Sequence, residues 1–375
     1  MSTWGGNCKV TPQLQPQLQI QHRPSSDFGN DIIEMELVTN SVCVPELVCN
    51  NKGIEFTQGY ADIPLAQVEF YDLDKTVQGK LVPLLHKHSQ DNGCPVFAVQ
   101  VTEFSCGGIL LGCTFNHLIA DGFSGNMFYT FWAKISRSES INSLIPSFTR
   151  SILCPRDPPA VNNLHLKQSS EQADQQTNPL VLGNRIYHIS AMNIEKLQAT
   201  ANEKGMKFSK LEAFSAYLWK LLVTIHSEEM NYSKIGIAID GRFCLMKLGL
   251  PANYFGNVVA FGFAVAAAGE VKNKPLSWGA NLIHDGIYDA ANEEYLQDII
   301  DLVELTKTSS STYKITNHGQ SNGTVLQVSS GLRFPLNGID YGWGKPILAS
   351  FHFPAGSQLC YVMPLPSPQA DGSWL

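Results

Sequence analysis

Two stretches in the first half of the chain have the apolar pattern of neighbouring strands. Residues 97–104 alternate between apolar and polar side chains, and residues 109–115 form an apolar run. Gly107 and Gly108 between them predict a turn, so a hairpin is expected. After Gly122, apolar side chains recur at helical spacing and predict a helix whose apolar face packs on the sheet. These side chains are Phe123, Met127, Phe128, Phe131 and Trp132.

Helical and strand-like patterns also alternate in the second half. Ser209 and Glu212 form a capping box, which predicts a helix from there to about residue 225. Asn193 is expected to cap a short helix, and a strongly periodic helix is expected at 292–305. Further strands are predicted at 185–189, 234–240, 324–329, 347–353 and 359–363. The alternation predicts an α/β fold in two halves.

Composition divides the chain into four parts. Residues 1–45 are rich in Gln, Pro, Ser and Asn and are predicted to be irregular. Residues 46–151 form the expected N-terminal domain, and 184–375 form the expected C-terminal domain. The polar, proline-containing stretch 152–183 between them is predicted to be a crossover linker.

The overall composition narrows the classes of function. Of 375 residues, 44% are hydrophobic and 16% are charged, and the formal net charge is −7 without a basic stripe. Nucleic acid is therefore not expected as a partner, and no apolar run is long enough to predict a membrane span. The start of the chain lacks an apolar signal core, and the nine cysteines include no Cys-x-x-Cys pair. Reduced thiols and a cytoplasmic location are expected.

Candidate chemistry begins at His117, directly after the predicted strand 109–115. Asp121 and Gly122 follow it in a His-x-x-x-Asp-Gly string. Histidine is the side chain whose ordinary pKa best suits proton transfer near neutral pH, so His117 is a candidate general base. A hydrogen-bonded core histidine would produce the same short pattern.

A second string lies far downstream, and the two together carry a resemblance. It reads Asp340-Tyr341-Gly342-Trp343-Gly344. In this order the strings resemble those of the plant BAHD acyltransferases, which have a His-x-x-x-Asp-Gly motif and a distal Asp-Phe-Gly-Trp-Gly motif. The strings 212–219 and 254–257 are also similar to the family, and the resemblance covers about 46–372.

The resemblance implies a fold and a reaction. The fold would be two chloramphenicol-acetyltransferase-like domains, with mixed β-sheets flanked by helices and a channel between them. No cofactor would be bound; acyl-CoA would be the co-substrate, and His117 would be the general base. The indole N–H of Trp343 is a candidate oxyanion donor, or alternatively a buried aromatic bonded to a carbonyl. Asp340, Gly342 and Gly344 would support its loop.

Asp121 has a structural role by the same resemblance. It would pair with Arg242, which follows Asp240 and Gly241 after a predicted strand, and the pair would set the position of His117. The alternative for Arg242 is an exposed loop charge.

The resemblance also implies sites for the two substrates. Lys207, Ser209 and Lys210 match the region that contacts CoA, although solvated surface lysines would look the same. Arg333 resembles an arginine that binds the acceptor carboxylate in shikimate hydroxycinnamoyltransferases. The expected reaction is hydroxycinnamoyl or acetyl transfer to the hydroxyl of a phenylpropanoid alcohol, shikimate or quinate by a monomer. A polyamine acceptor is the alternative within the same chemistry.

Departures from the family pattern keep other classes of function open. Asn116 stands where many members have a second histidine, and Tyr341 replaces the phenylalanine. Segments that relatives have at both ends have no counterpart, so the chain is expected to be truncated. A non-catalytic binding or regulatory protein, or a degenerate product, is therefore an alternative, and a metal hydrolase using His117 and Asp121 is a third.

Overall fold

The computed structural model describes eleven stretches of the chain. They are residues 20–24, 36–39, 45–48, 54–70, 80–85, 93–141, 145–162, 183–225, 231–306, 323–351 and 360–375. The chain divides into two compact units, one formed by residues 1–36 and 48–114 and the other by 37–47 and 115–375. The division after residue 114 lies upstream of the linker expected at 152–183.

The described part of the first half contains seven strands. They are β1 (Ile20–Pro24), β2 (Glu36–Thr39), β3 (Pro45–Val48), β4 (Glu55–Ala61), β5 (Gly93–Pro95), β6 (Phe97–Phe104) and β7 (Ile109–Phe115). One mixed sheet has the order β1-β4-β6-β7, with β1 antiparallel and β6 parallel to β4. Strands β1 and β2 lie within the segment 1–45 that was expected to be irregular.

The predicted hairpin of β6 and β7 is confirmed. The two strands are neighbours in the sheet, and their bounds match the apolar pattern. Gly107 has a φ of +78°, which favours glycine, and its N–H donates to the carbonyl of Phe104 at 2.8 Å. Strand β7 ends at Phe115, so Asn116 and His117 follow the hairpin directly.

The second unit combines seven α-helices with four further strands in its described part. The helices are α1 (Gly122–Ser136), α2 (Ala191–Ala201), α3 (Lys210–Ile225), α4 (Arg242–Leu245), α5 (Ala268–Asn273), α6 (Leu276–Ala290) and α7 (Glu293–Thr306). The strands are β8 (Tyr232–Asp240), β9 (Val259–Ala267), β10 (Gly323–Val328) and β11 (Cys360–Val362). They form a mixed sheet in the order β11-β10-β8-β9, where β10 is parallel to both neighbours and β9 is antiparallel to β8.

Helices α3 and α6 pack on one face of this sheet. Trp219 of α3, Ile283 of α6 and Ile235 of β8 are all buried in one cluster. Burying each large apolar side chain stabilises the fold by about 1.5–3 kcal/mol. The indole N–H of Trp219 donates to the hydroxyl of Ser233 at 2.9 Å, so its polar atom is also satisfied.

A pair of glycines lets α6 approach β9 closely. A Cβ at Gly262 would lie 2.5 Å from the carbonyl oxygen of Gly286, and a Cβ at Gly286 would lie 2.4 Å from that of Phe263. Neither space admits a side chain, because both contacts are with backbone atoms. The pattern of apolar positions predicted neither α6 nor β9, since glycine inside both elements weakens their local signal.

Most of the other predicted elements are present. The helix from the Ser209 capping box matches α3, the helix at 292–305 matches α7, and the strands at 234–240, 324–329 and 359–363 match β8, β10 and β11. The α/β fold class with mixed sheets flanked by helices is confirmed.

Three predicted elements differ from the structure. Residues 185–189 form no strand, and Ile189 makes an isolated bridge to Trp374 instead. Residues 347–351 are irregular, and 352–353 lie outside the described residues. The cap of α2 is Ser190, whose hydroxyl accepts the N–H of Asn193, because Asn193 is already inside the first turn.

The beginning of the predicted linker is fixed to α7. Both carboxylates of Asp298 and Asp301 are buried, and both bind the half-exposed Arg156. Asp301 also accepts the backbone N–H of Ala160 at 2.9 Å. The predicted linker is therefore anchored at its start, while residues 163–182 lie outside the described part.

Candidate active site

His117 lies in a tight turn between β7 and α1. The turn is closed by Asn116, whose side-chain oxygen accepts the N–H of Leu118 at 3.0 Å and whose carbonyl accepts the N–H of Ile119 at 3.1 Å. The His117 side chain is exposed, and its ring centroid lies 5.9 Å from that of Phe115. The turn thus presents an imidazole to solvent, which differs from the alternative of a core histidine.

Asp121 caps the helix that follows this turn. Its side chain accepts the N–H of Ser124 at 2.9 Å, so it occupies the N-cap position of α1. The aspartate is 1% exposed, and its second oxygen accepts the N–H of Val258 at 3.0 Å. Its carboxylate is therefore directed into the protein, as expected, and is not a triad partner of the His117 ring.

Arg242 is the buried counterion of Asp121. It is 3% exposed and donates to both oxygens of Asp121, at 2.8 and 3.1 Å. The predicted ion pair is thus present, and the alternative of an exposed loop arginine does not apply. The guanidinium lies 4.4 Å from the ring centroid of Phe123, which is partly exposed and covers the pair.

The remaining donors of Arg242 fix the chain segment before β9. Its Nε donates to the carbonyl of Tyr254 at 3.1 Å, and a terminal nitrogen donates to the carbonyl of Gly256 at 2.8 Å. Ser124 completes this network, because its hydroxyl accepts from Arg242 and from the N–H of Gly256, each at 3.0 Å. The two buried charges of this network, those of Asp121 and Arg242, are thereby paired and hydrogen-bonded, as a low-dielectric interior requires.

Asn257 connects this network back to the histidine. Its side-chain amide donates to the backbone carbonyl of His117 at 2.8 Å. Neither Ser124 nor Asn257 was predicted as a site residue. The family-like string 254–257 was the available signal, but it did not indicate which atoms would meet.

The downstream string forms a loop stabilised by its own aspartate. Asp340 accepts the N–H groups of Gly342 and Gly344, at 2.7 and 3.0 Å, and these bonds lower the pKa of Asp340. Both glycines have a φ above +100°, which explains their presence. The supporting role expected of these three residues therefore has a direct geometric basis.

This loop lies against the last turns of α1. The Tyr341 ring packs on Trp132 with centroids 4.9 Å apart, and the Tyr341 carbonyl accepts the hydroxyl of Ser136 at 3.1 Å. Trp343 packs on Tyr341 with centroids 6.0 Å apart and is 61% exposed. The tyrosine that replaces the family's phenylalanine is thus flanked by two tryptophans.

The two motifs are therefore anchored at opposite ends of one helix. Asp121 caps the start of α1, whereas Ser136 is its last residue, and 15 helical residues span about 22 Å. Among the described residues, no hydrogen bond or ring contact joins Trp343 to His117. The expectation that Trp343 donates to an oxyanion beside His117 has no geometric support, since a donor must lie about 3 Å from that oxygen.

The residues expected to meet CoA lie at the start of α3. Lys207 is exposed, and Lys210 pairs with Glu195 at 3.4 Å across the surface. Ser209 and Glu212 form the predicted capping box, in which the N–H of Ser209 donates to the Glu212 carboxylate at 2.6 Å. The hydroxyl of Ser209 is thus already engaged in the helix cap.

Arg333, the expected acceptor-binding residue, lies after β10. It is exposed in the turn at 331–334, where the N–H of Phe334 donates to the carbonyl of Gly331. An exposed guanidinium is available to a carboxylate in solution. The described contacts do not join Arg333 to the His117 turn.

Two features of the described residues bear on the remaining classes of function. None of the helices in these stretches is both long and apolar enough to cross a membrane. No group of three or more His, Cys, Asp or Glu side chains in the described stretches is arranged to bind a metal ion. The described residues therefore do not support the metal-hydrolase alternative.

Comparison with known proteins places the chain in a family. The model of the Transferase family matches residues 36–375. The shikimate O-hydroxycinnamoyltransferase of Nicotiana tabacum is 28% identical over 349 residues, which cover 88% of this chain and 76% of that protein. An N-hydroxycinnamoyltransferase of Avena sativa, named for hydroxycinnamoyl-CoA and 5-hydroxyanthranilate, is 30% identical with the same coverage.

Solved structures show the same fold. The TRI101 protein of F. sporotrichioides, complexed with coenzyme A and T-2, has a TM-score of 0.71 at 16% identity, covering 91% of this chain and 81% of that one. Vinorine synthase has a TM-score of 0.63 at 20% identity, covering 91% of this chain and 76% of that one. The motifs, the fold and the match over residues 36–375 agree: the chain belongs to the Transferase family, as a plant BAHD acyltransferase that takes its acyl group from acyl-CoA.

Proposed function

We propose that the protein transfers a hydroxycinnamoyl or acetyl group from acyl-CoA to the hydroxyl of a plant secondary metabolite, with His117 as general base. The acceptor classes are phenylpropanoid alcohols, shikimate and quinate. The observation that carries the proposal is an exposed imidazole in a turn whose next residues are fixed by the buried pair of Asp121 and Arg242.

The proposed reaction needs one proton acceptor and one bond exchange. His117 accepts the proton of the acceptor hydroxyl as its oxygen attacks the thioester carbonyl. The tetrahedral intermediate then expels the CoA thiolate, which takes the proton back from His117. A positioned base of this kind accelerates a reaction by about 10²–10⁴.

No oxyanion role is assigned to Trp343 in this proposal. Its loop packs on Trp132 and Ser136 in the last turns of α1. We propose instead that the aromatic contacts of the loop stabilise α1, the helix that Asp121 caps. This role makes the loop structural and leaves proton transfer to His117.

Two surface regions are proposed to bind the substrates. Lys207, Ser209 and Lys210 would meet CoA, whose phosphates suit lysine as a point charge. The exposed pair of Lys210 and Glu195 contributes under about 1 kcal/mol, so a phosphate can replace it. Arg333 would pair with a carboxylate on acceptors such as shikimate. We propose that the protein acts as a monomer.

An amine acceptor is the second candidate. The Avena sativa relative at 30% identity is named for transfer to the nitrogen of 5-hydroxyanthranilate, whereas the Nicotiana tabacum relative is named for transfer to an oxygen of shikimate. His117 would serve an amine in the same way, by accepting a proton during attack. A polyamine, the alternative acceptor expected from the sequence, is also an amine of this kind.

A substrate panel tests the proposal. CoA thiol release is measured with hydroxycinnamoyl-CoA and acetyl-CoA against coniferyl alcohol, shikimate, quinate, 5-hydroxyanthranilate and a polyamine. Release that depends on an alcohol and is lost in His117→Ala supports the O-acyltransferase. Release with amines alone favours the second candidate. An Arg333→Gln variant is expected to raise KM for shikimate and leave KM for coniferyl alcohol unchanged.

A further inference from the structure

The backbone of the His117 turn is bonded to a side chain from a distant part of the sequence. The amide of Asn257 donates to the carbonyl of His117 at 2.8 Å. Within the turn, the bonds of Asn116 close the loop on itself but do not fix it to the rest of the protein. Asn257 therefore supplies a lateral constraint on the residue whose ring carries the proposed chemistry.

Asn257 can constrain the turn because its own backbone is held on both sides. The N–H of Gly256 donates to Ser124 at 3.0 Å, and the N–H of Val258 donates to Asp121 at 3.0 Å. Earlier in the segment, the N–H of Phe255 donates to the carbonyl of Ser147 at 2.8 Å. The Asn257 side chain is exposed, so it spans from this buried network to the surface turn.

We propose that Asn257 is a positioning residue for His117, which rests on the proposed role of His117 as general base. The buried pair of Asp121 and Arg242 fixes the segment 254–258, and Asn257 passes that position on to the His117 backbone. His117 is thus bounded on one side by the cap of α1 and on the other by the Asn257 amide. Proton transfer needs a base within about 2.6–3.2 Å of the hydroxyl, so a small shift of the turn lowers the rate.

The expected effect is on turnover more than on binding. Misplacement of a catalytic group by about 1 Å costs up to about 10²-fold in rate. Asn257→Ala removes the donor, and we expect kcat to fall by about 10- to 100-fold while KM for both substrates stays within about twofold. Asn257→Asp keeps the size but places an acceptor against the carbonyl of His117, so its loss of kcat is expected to be at least as large.

A matched control lies four residues earlier in the same segment. The side-chain amide of Asn253 donates to the carbonyl of Ile145, a bond of the same kind that does not involve the His117 turn. Asn253→Ala is expected to keep kcat within about twofold. Asn257→Gln retains an amide donor on a longer side chain and is expected to recover part of the kcat lost in Asn257→Ala.

A second readout separates this proposal from the role of His117 itself. The rate at which diethyl pyrocarbonate modifies His117, measured by mass spectrometry without substrates, reports on the ring independently of turnover. We expect the rate to change at least about twofold in Asn257→Ala and Asn257→Asp, and not in Asn253→Ala. Melting temperatures of all variants show that the comparison is made on folded protein.

The outcomes are distinguishable. Loss of kcat together with a changed His117 modification rate in the Asn257 variants supports the positioning role. A kcat within twofold of wild type in Asn257→Ala, an unchanged modification rate, or an equal loss in Asn253→Ala overturns it. Activity that persists in His117→Ala overturns the general-base proposal instead, and the modification rates still decide whether Asn257 constrains the turn.

Discussion

Replacing Arg242 by methionine is the sharpest test of how the His117 turn is supported. The side chain of Arg242 makes six hydrogen bonds, to Asp121, Ser124, Asp240 and the carbonyls of Tyr254 and Gly256. Methionine has a similar length and no donors. The substitution therefore leaves Asp121 as a buried carboxylate bound only by backbone N–H groups in the described contacts.

The expected loss of unfolding free energy in Arg242→Met follows from the burial of the ion pair. Removing one partner of a buried ion pair costs about 3–5 kcal/mol, because the other charge is left uncompensated. Asp121 keeps its bonds from Ser124 and Val258, so a value toward the lower end, about 3 kcal/mol, is expected. The surface pair of Lys210 and Glu195 provides the control, since Glu195→Gln at an exposed site is expected to cost under about 1 kcal/mol.

Urea denaturation followed by circular dichroism measures the free energy of unfolding of each variant. A double-mutant cycle with Asp121→Asn adds a second criterion. Because the pair acts as a unit, the double variant is expected to lose less than the sum of the single losses, by about 1–3 kcal/mol. A loss below 1 kcal/mol in Arg242→Met, or additive losses in the cycle, would refute the buried network as the support of the site.

Three further predictions follow from particular contacts. Trp343→Phe is expected to lower kcat by less than about tenfold while lowering the melting temperature; a 10²–10³-fold loss of kcat in stable protein would restore the oxyanion role. Lys207→Glu is expected to raise KM for acyl-CoA about 3- to 10-fold with kcat unchanged, and steady-state kinetics with a saturating acceptor would reveal an unchanged KM if Lys207 were remote from CoA. Burial raises the pKa of Asp301, but N–H donors from Ala160 and Arg156 outweigh it and hold the pKa below its ordinary value. The stability that Asp301 contributes is therefore present above about pH 4 and is lost as the pH falls through the folded pKa of Asp301. Between about pH 6 and pH 3, the melting temperature of Asp301→Asn should therefore fall less than that of wild type. Parallel melting curves would contradict this.

Local sequence patterns predicted the elements whose signal is contained within themselves. The strands 97–104 and 109–115 alternate or run apolar, and Gly107 between them has the positive φ that a tight turn requires. The capping box of Ser209 and Glu212 is present at the start of α3 for the same reason. In each case the residues that form the structure are close in sequence.

Elements that depend on distant partners were not predictable in this way. Residues 185–189 have the composition of a strand, but Ile189 meets Trp374 alone in an isolated bridge. Helix α6 contains Gly286, which weakens its helical signal, yet that glycine is required where α6 approaches β9. The reason for such a residue exists only once both elements are folded.

In the site, too, some contacts were predictable from the sequence and others were not. The resemblance predicted the pair of Asp121 and Arg242, which are 121 residues apart in sequence and joined at 2.8 Å. It did not predict that Asn257 would donate to the His117 carbonyl. Every residue has a backbone carbonyl, so the residue type at position 117 does not indicate which side chain will bind it. Nor did the string around Trp343 indicate that its loop would pack at the far end of α1 from His117.

Proton transfer from the attacking hydroxyl to His117 can be measured as acceptor-dependent CoA release by His117→Ala, with and without added imidazole as an external base. We expect the rate to fall by about 10²–10⁴-fold, and imidazole to restore part of it, at an unchanged melting temperature. A His117→Ala variant that retains more than a tenth of the wild-type rate would show that His117 is not the base.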